Sequence, residues 1–186
     1  MNWVFMLIVG WLALGLDLGL ADALAMGSRG VAPSFVVGVL VFVGLHASRG
    51  ATLWTGLLLG LALDLTRAGV SASGAGLEAV ATLGPAAVGC LLAAHFVLTV
   101  RAVVMKRNPV ALAVMGCLAS LLVGLVVAGT LTARSWYDPA VQVKPLTELS
   151  IRLGQALYTG LLTPVVVYTL TPLTPFFGFP ATSRAA

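Results

Sequence analysis

Six apolar segments occupy most of this chain, and the polar sequence between them is too thin to make a soluble surface. They run from about Trp3 to Met26, Pro33 to His46, Ala51 to Thr66, Gly76 to Thr99, Pro109 to Leu131 and Ser150 to Leu170. Only 9% of the 186 residues are charged, and 60% are hydrophobic. A soluble domain carries roughly 25% charged residues. In lipid, helices are the open-ended structures that satisfy their own backbone. The sequence therefore predicts an all-α polytopic membrane protein with six transmembrane helices. One transmembrane domain covers residues 1–186, with a helical bundle at 1–170 and an irregular tail at 171–186.

Four segments reach the roughly 20 residues that a span needs. The second and third have about 15 each, or roughly 22 Å of helix, against a hydrocarbon core of about 30 Å. They span with local thinning, extend by a turn, or form a hairpin that stops inside the protein. Pro33 and Pro109 sit where helices start, as suits a residue without an N–H. Pro85 lies within the fourth segment and predicts a kink after Gly84. The tail carries Pro172, Pro175 and Pro180 with Phe176, Phe177 and Phe179. It reads as irregular, with its aromatics at the membrane interface.

The net charge of +4 does not point to nucleic acid. The cations stand singly at loops and helix ends, apart from Arg101, Lys106 and Arg107, and read as topology signals. With both termini on one side, the two sides carry five cations each. The short loop from Arg101 to Asn108 breaks the tie and predicts cytoplasmic termini. The loop from Ala133 to Leu149 then faces outward. No Lys or Arg precedes the first apolar run and Asp17 interrupts it, so it reads as a retained helix and not a signal peptide.

Small residues form three ridges. Thr52, Gly56 and Gly60 recur every four residues, with Asp64 next in line. Gly15 and Gly19 share a face with Asp22 in the first segment. Gly116, Ser120, Gly124 and Ala128 make the third ridge. Such ridges let helices approach closely in a membrane. Some serve the internal bundle, and one left over would serve a partner.

Asp64 closes its segment, where a carboxylate opposes the helix dipole. Arg67 can compensate it locally; so can a neighbouring helix start, or a hydroxyl at Ser71 or Ser73. Asp17, deeper in its segment, calls for a buried hydrogen-bonding role. His46 and His95 read as buried histidines bonding backbone carbonyls. Neither has a second ligand at metal-binding spacing, so no metal or cofactor site is expected. Cys90 and Cys117 lie in apolar runs and act as small hydrophobes. Ser71-Ala-Ser73-Gly74 is faintly like an intramembrane serine protease motif, but the last helix has no histidine to act as base. No catalytic residues are assigned.

The succession of Pro33-Ser-Phe, the basic turn Arg49-Gly50, Gly56-Leu-Leu-Leu-Gly60-Leu-Ala-Leu-Asp64-Leu65 and a Gly/Ser-rich loop before a longer helix resembles MreD-type rod-shape-determining proteins. The resemblance covers about residues 33 to 100, and the six-segment layout agrees over the rest. It implies a non-enzymatic component of the bacterial cell-elongation machinery in the inner membrane, supporting peptidoglycan synthesis at the lateral wall. It implies a single-pass MreC-like partner, and indirectly the actin-like MreB and peptidoglycan synthases. It also implies a fold similar to the membrane substrate-binding subunits of energy-coupling-factor transporters. Small-molecule uptake of that type is the alternative function. A proton-coupled transporter using Asp17, Asp22 or Asp64 is a third reading and needs those carboxylates to share a cavity.

Overall fold

The computed structural model describes residues 1–26, 31–67, 84–102, 108–134, 136 and 145–179, without the side chains of residues 21, 22, 67 and 145–148. The described chain is all-helical apart from an isolated antiparallel bridge between Met26 and Val31. The helices are α1 (Trp3–Gly19), α2 (Ala21–Leu24), α3 (Phe35–His46), α4 (Arg49–Arg67), α5 (Pro85–Val100), α6 (Pro109–Arg134) and α7 (Pro145–Leu170). A short 3₁₀ turn (Thr171–Leu173) leads into α8 (Thr174–Phe177). Two helical stretches, Pro109–Arg134 and Leu149–Phe177, are long and apolar enough to cross a membrane.

The shortest of the apolar segments sits at the centre. Helix α3 has 12 residues, and Val36 to Leu45 are all buried. It is apolar all round, as a helix surrounded by protein must be. It packs against α1, α4, α5, α6 and α7, while α4, α5, α6 and α7 pack in succession around it. At 1.5 Å per residue α3 is roughly 18 Å long. It has no need to match a lipid thickness, because protein and not lipid surrounds it. Helix α4, in contrast, extends beyond its apolar segment at both ends and reaches 19 residues.

Three expectations need correction. Pro85 does not kink a helix; it opens one. Gly84 has φ +121°, outside the helical region, and Pro85 follows at the first helical position, where a missing N–H costs nothing. The first segment does not run as one helix to Met26. It breaks after Gly19 and resumes as the single turn α2. The tail is ordered through Phe179, where the sequence predicts an irregular stretch. Phe177 is fully buried and packs edge-on against Phe5, with ring centroids 4.7 Å apart, and against Phe42 at 5.3 Å. Gly178 adopts the left-handed region at φ +57°, which glycine reaches without a Cβ penalty. The turn returns Phe179 onto Phe177 (5.1 Å) and His46 (6.0 Å). The Asn2 N–H donates to the Phe177 carbonyl at 2.7 Å, so residue 2 and the tail meet at one end of the bundle. Residues 180–186 lie outside the described residues.

Candidate functional site

Both described membrane-segment acids cap the start of a different helix. The Asp64 carboxylate accepts the N–H groups of Gly84 (2.9 Å), Ala86 (3.0 Å) and Ala87 (3.1 Å). Pro85 has no N–H, and the Val88 N–H already donates to the Gly84 carbonyl. Every N–H from Gly84 to Val88 therefore has its partner, as a buried helix start requires. The negative carboxylate also meets the positive end of the α5 dipole. Of the alternatives open for Asp64, the neighbouring helix start is realised among the described residues. Arg67's side chain, Ser71 and Ser73 lie outside the described residues.

Asp17 does the same for α3. Its carboxylate accepts the Phe35 N–H at 2.5 Å and the Ser34 hydroxyl at 2.8 Å. Ser34 is the N-cap, with its oxygen accepting the Val37 N–H at 3.4 Å. The Ser34 N–H donates to the Thr159 hydroxyl at 3.0 Å, tying α7 to the same point. At the other end of α3, the Arg101 guanidinium donates to the carbonyls of Gly44 (3.3 Å) and Ala47 (2.9 Å). An acid at its N-terminus and a cation at its C-terminus complement the dipole of the central helix. Sequence reasoning missed Arg101 in this role. Ser34 could have been found, because a serine directly before an apolar run signals a helix start.

The ridges divide into used and open. A Cβ added to Gly56 would lie 2.9 Å from the Cys90 carbonyl oxygen, and one on Gly60 would lie 2.5 Å from the Ala87 Cα. The Thr52–Gly56–Gly60–Asp64 ridge is thus the seam between α4 and α5. Gly116 faces Thr163 and Gly124 faces the Arg152 side chain, so the third ridge is the seam between α6 and α7. Ser120, between them, is buried and borders a crevice of about 10 Å³ with Ser34, Arg152 and Gln155. That is about the room one water occupies. The first ridge differs. Nothing lies within 4 Å of a Cβ built on Gly15 or Gly19, and both glycines are exposed. Gly15→Ala is expected to leave the fold unchanged and to raise stability by about 0.5–1 kcal/mol through helix propensity. A thermal melt in detergent checks this. Asp22's side chain lies outside the described residues.

The remaining candidates fall in several places. His46 is half-buried, with Nδ1 2.9 Å from the Phe42 carbonyl oxygen. His95 is exposed, a correction to the buried position read from its helix face. Cys90 is buried and Cys117 half-buried, and neither is in a disulfide. Among the described residues no group of three His, Cys, Asp or Glu could hold a metal ion. Asp17 and Asp64 bind different helix starts, so these two carboxylates are placed as structural acceptors.

Comparison with protein-family models, with curated proteins and with solved structures gives no match.

Proposed function

We propose that this chain is a non-catalytic, six-span inner-membrane component of a bacterial cell-elongation complex, with cytoplasmic termini and an MreC-like single-pass partner. The observation that carries the reading is the open outer face of α1. The ridges of α4 and α6 are occupied inside the bundle, while Gly15 and Gly19 are not covered. Helix α1 is peripheral, fastened by Asp17 near one end and by the contact of Asn2 with Phe177 at the other. Asp17, Ser34, Asp64 and Arg101 hold helix ends, a use that suits a scaffold. The resemblance of residues 33 to 100 to MreD-type proteins supplies the partner's identity.

The expected result is that the chain, co-expressed with an MreC-like protein, brings it through affinity purification in mild detergent. Loss of that partner under conditions that preserve other membrane complexes would overturn the reading. The alternative, an uptake subunit of the energy-coupling-factor type, needs an outward polar pocket built from residues 71–76 and 133–149, since the crevice at Ser34, Ser120, Arg152 and Gln155 has room for about one water. Thermal stabilisation by one member of a vitamin panel would favour it instead.

A further inference from the structure

Helix α5 buries Ala86, Cys90, Ala93 and Val97 in the bundle and turns Val88, Leu92, His95 and Thr99 outward. Val88 is 51% exposed and Leu92 47%, as suits a face that meets lipid. His95 breaks that face. Its side chain is exposed, and among the described residues no hydrogen bond or ring contact reaches its imidazole.

Depth makes the exposure costly. Arg101, the C-cap of α5, donates to the carbonyls of Gly44 and Ala47 and marks the end of the bundle where the short basic loop begins. At 1.5 Å per residue His95 lies roughly 9 Å inward of Arg101 along α5. The headgroup layer on one side of a bilayer is roughly 5–8 Å deep. The side chain also leans inward, because side chains tilt toward the N-terminus of their helix. The ring therefore stands among acyl chains, which offer neither donor nor acceptor. Histidines at such depth hydrogen-bond across helices.

The same face holds the groups that the ring lacks. A neutral imidazole has one N–H to donate and one bare nitrogen to accept. Thr99 adds a second acceptor. Its hydroxyl gives its own proton to the His95 carbonyl at 2.9 Å, which leaves Oγ1 open to a donor. A second copy inserts in the same membrane with the same orientation. A twofold axis along the membrane normal then sets this face against itself, with every residue at its own depth. Any other helix would have to carry a matching polar group at that level; a second copy does so by construction. The spacing agrees, since Val88, Leu92, His95 and Thr99 recur at intervals of four, three and four, the repeat of a two-helix seam.

We propose that two copies of this chain associate through the outer face of α5, with the His95 ring of each hydrogen-bonded to the His95–Thr99 turn of the other. This rests on the six-span reading above, which puts α5 in the bilayer, and not on the single-pass partner. Helix α1 packs on α3 and α4, so its Gly15–Gly19 face stays open in the pair.

The test uses the chain alone in liposomes. Added cysteines go in at Leu92, and at Leu58 on α4 and Leu125 on α6, which are 42% and 45% exposed. The parent, with Cys90 buried and Cys117 half-buried, sets the baseline. Oxidation is expected to join copies through Leu92→Cys and not through Leu58→Cys or Leu125→Cys. Energy transfer between fluorescent copies diluted in lipid then reads the affinity. His95→Leu should weaken association about three- to thirtyfold, the loss of an interhelical hydrogen bond. Its thermal midpoint as a monomer in detergent should not fall, because the ring holds nothing within the chain. His95→Asn, whose amide again both donates and accepts, should keep most of the affinity. Leucine fills a seam as well as histidine, so a contact made by apolar packing alone would survive His95→Leu. A His95→Leu chain that associates like the parent would thus overturn the proposal. Equal crosslinking at all three positions, or none through Leu92→Cys, would overturn it too. If a charged maleimide labelled Leu92→Cys from water, α5 would lie outside the hydrocarbon, and the six-span reading would fall with this one. Without that labelling, failure to associate removes the pair and leaves the six-span reading in place.

Discussion

Asp64→Ala is expected to destabilise the folded chain by about 2–4 kcal/mol, the range set by losing a charged acceptor that serves several buried donors. Three N–H groups, of Gly84, Ala86 and Ala87, converge on this one carboxylate. Asp64 is 8% exposed, so water cannot readily replace it. Without it the start of α5 loses its acceptors and the α4–α5 seam loosens at that end. Asp64→Asn keeps one acceptor oxygen but aims an amide N–H₂ at donors, so it should fall between parent and alanine variant. Thermal unfolding in detergent measures the series. A partner that requires the intact bundle should be lost with Asp64→Ala in proportion to the unfolded fraction. If Asp64→Ala kept its midpoint and its partner, the capping role would be wrong.

How much of this was legible in the sequence depends on how far apart the interacting residues lie. That Asp64 needs a donor follows from one helix end and its dipole. Which donor it finds does not, because the α5 start is 20 residues away and nothing local marks it. Pro85 shows the same limit. Apolar sequence precedes it from Gly76, so the residue that opens a helix reads as one inside a helix. The short length of the second segment was visible, but not the cation that caps its C-terminal end, since Arg101 is 54 residues from Ala47. His95 failed for a different reason. In a bundle whose outside is as apolar as its core, periodicity does not say which face is inside. The glycine ridges were legible as ridges on spacing alone. Which ones are occupied could be decided only from the packing of α4 on α5 and α6 on α7.

Gly60→Ala is the second large effect, expected at about 3 kcal/mol or more, the upper part of the range for forcing extra volume into a packed interface. The added Cβ would lie 2.5 Å from the Ala87 Cα, 2.6 Å from the Ala86 carbonyl oxygen and 2.9 Å from the Ala87 nitrogen. These are backbone atoms of α5, so no side chain can rotate away and the helices must separate. Ala86 and Ala87 are also two of the residues whose N–H groups bind Asp64. Relief of the clash therefore pulls the cap apart. The two substitutions attack one contact, and the double variant Gly60→Ala with Asp64→Ala should cost clearly less than the sum of the singles. Gly15→Ala, with nothing near its Cβ, serves as the control for adding a methyl group to a helix of this bundle. Additivity of Gly60→Ala and Asp64→Ala would mean that the seam and the cap are independent. The close approach at Gly60 would then serve packing alone, and not hold the start of α5 against the carboxylate.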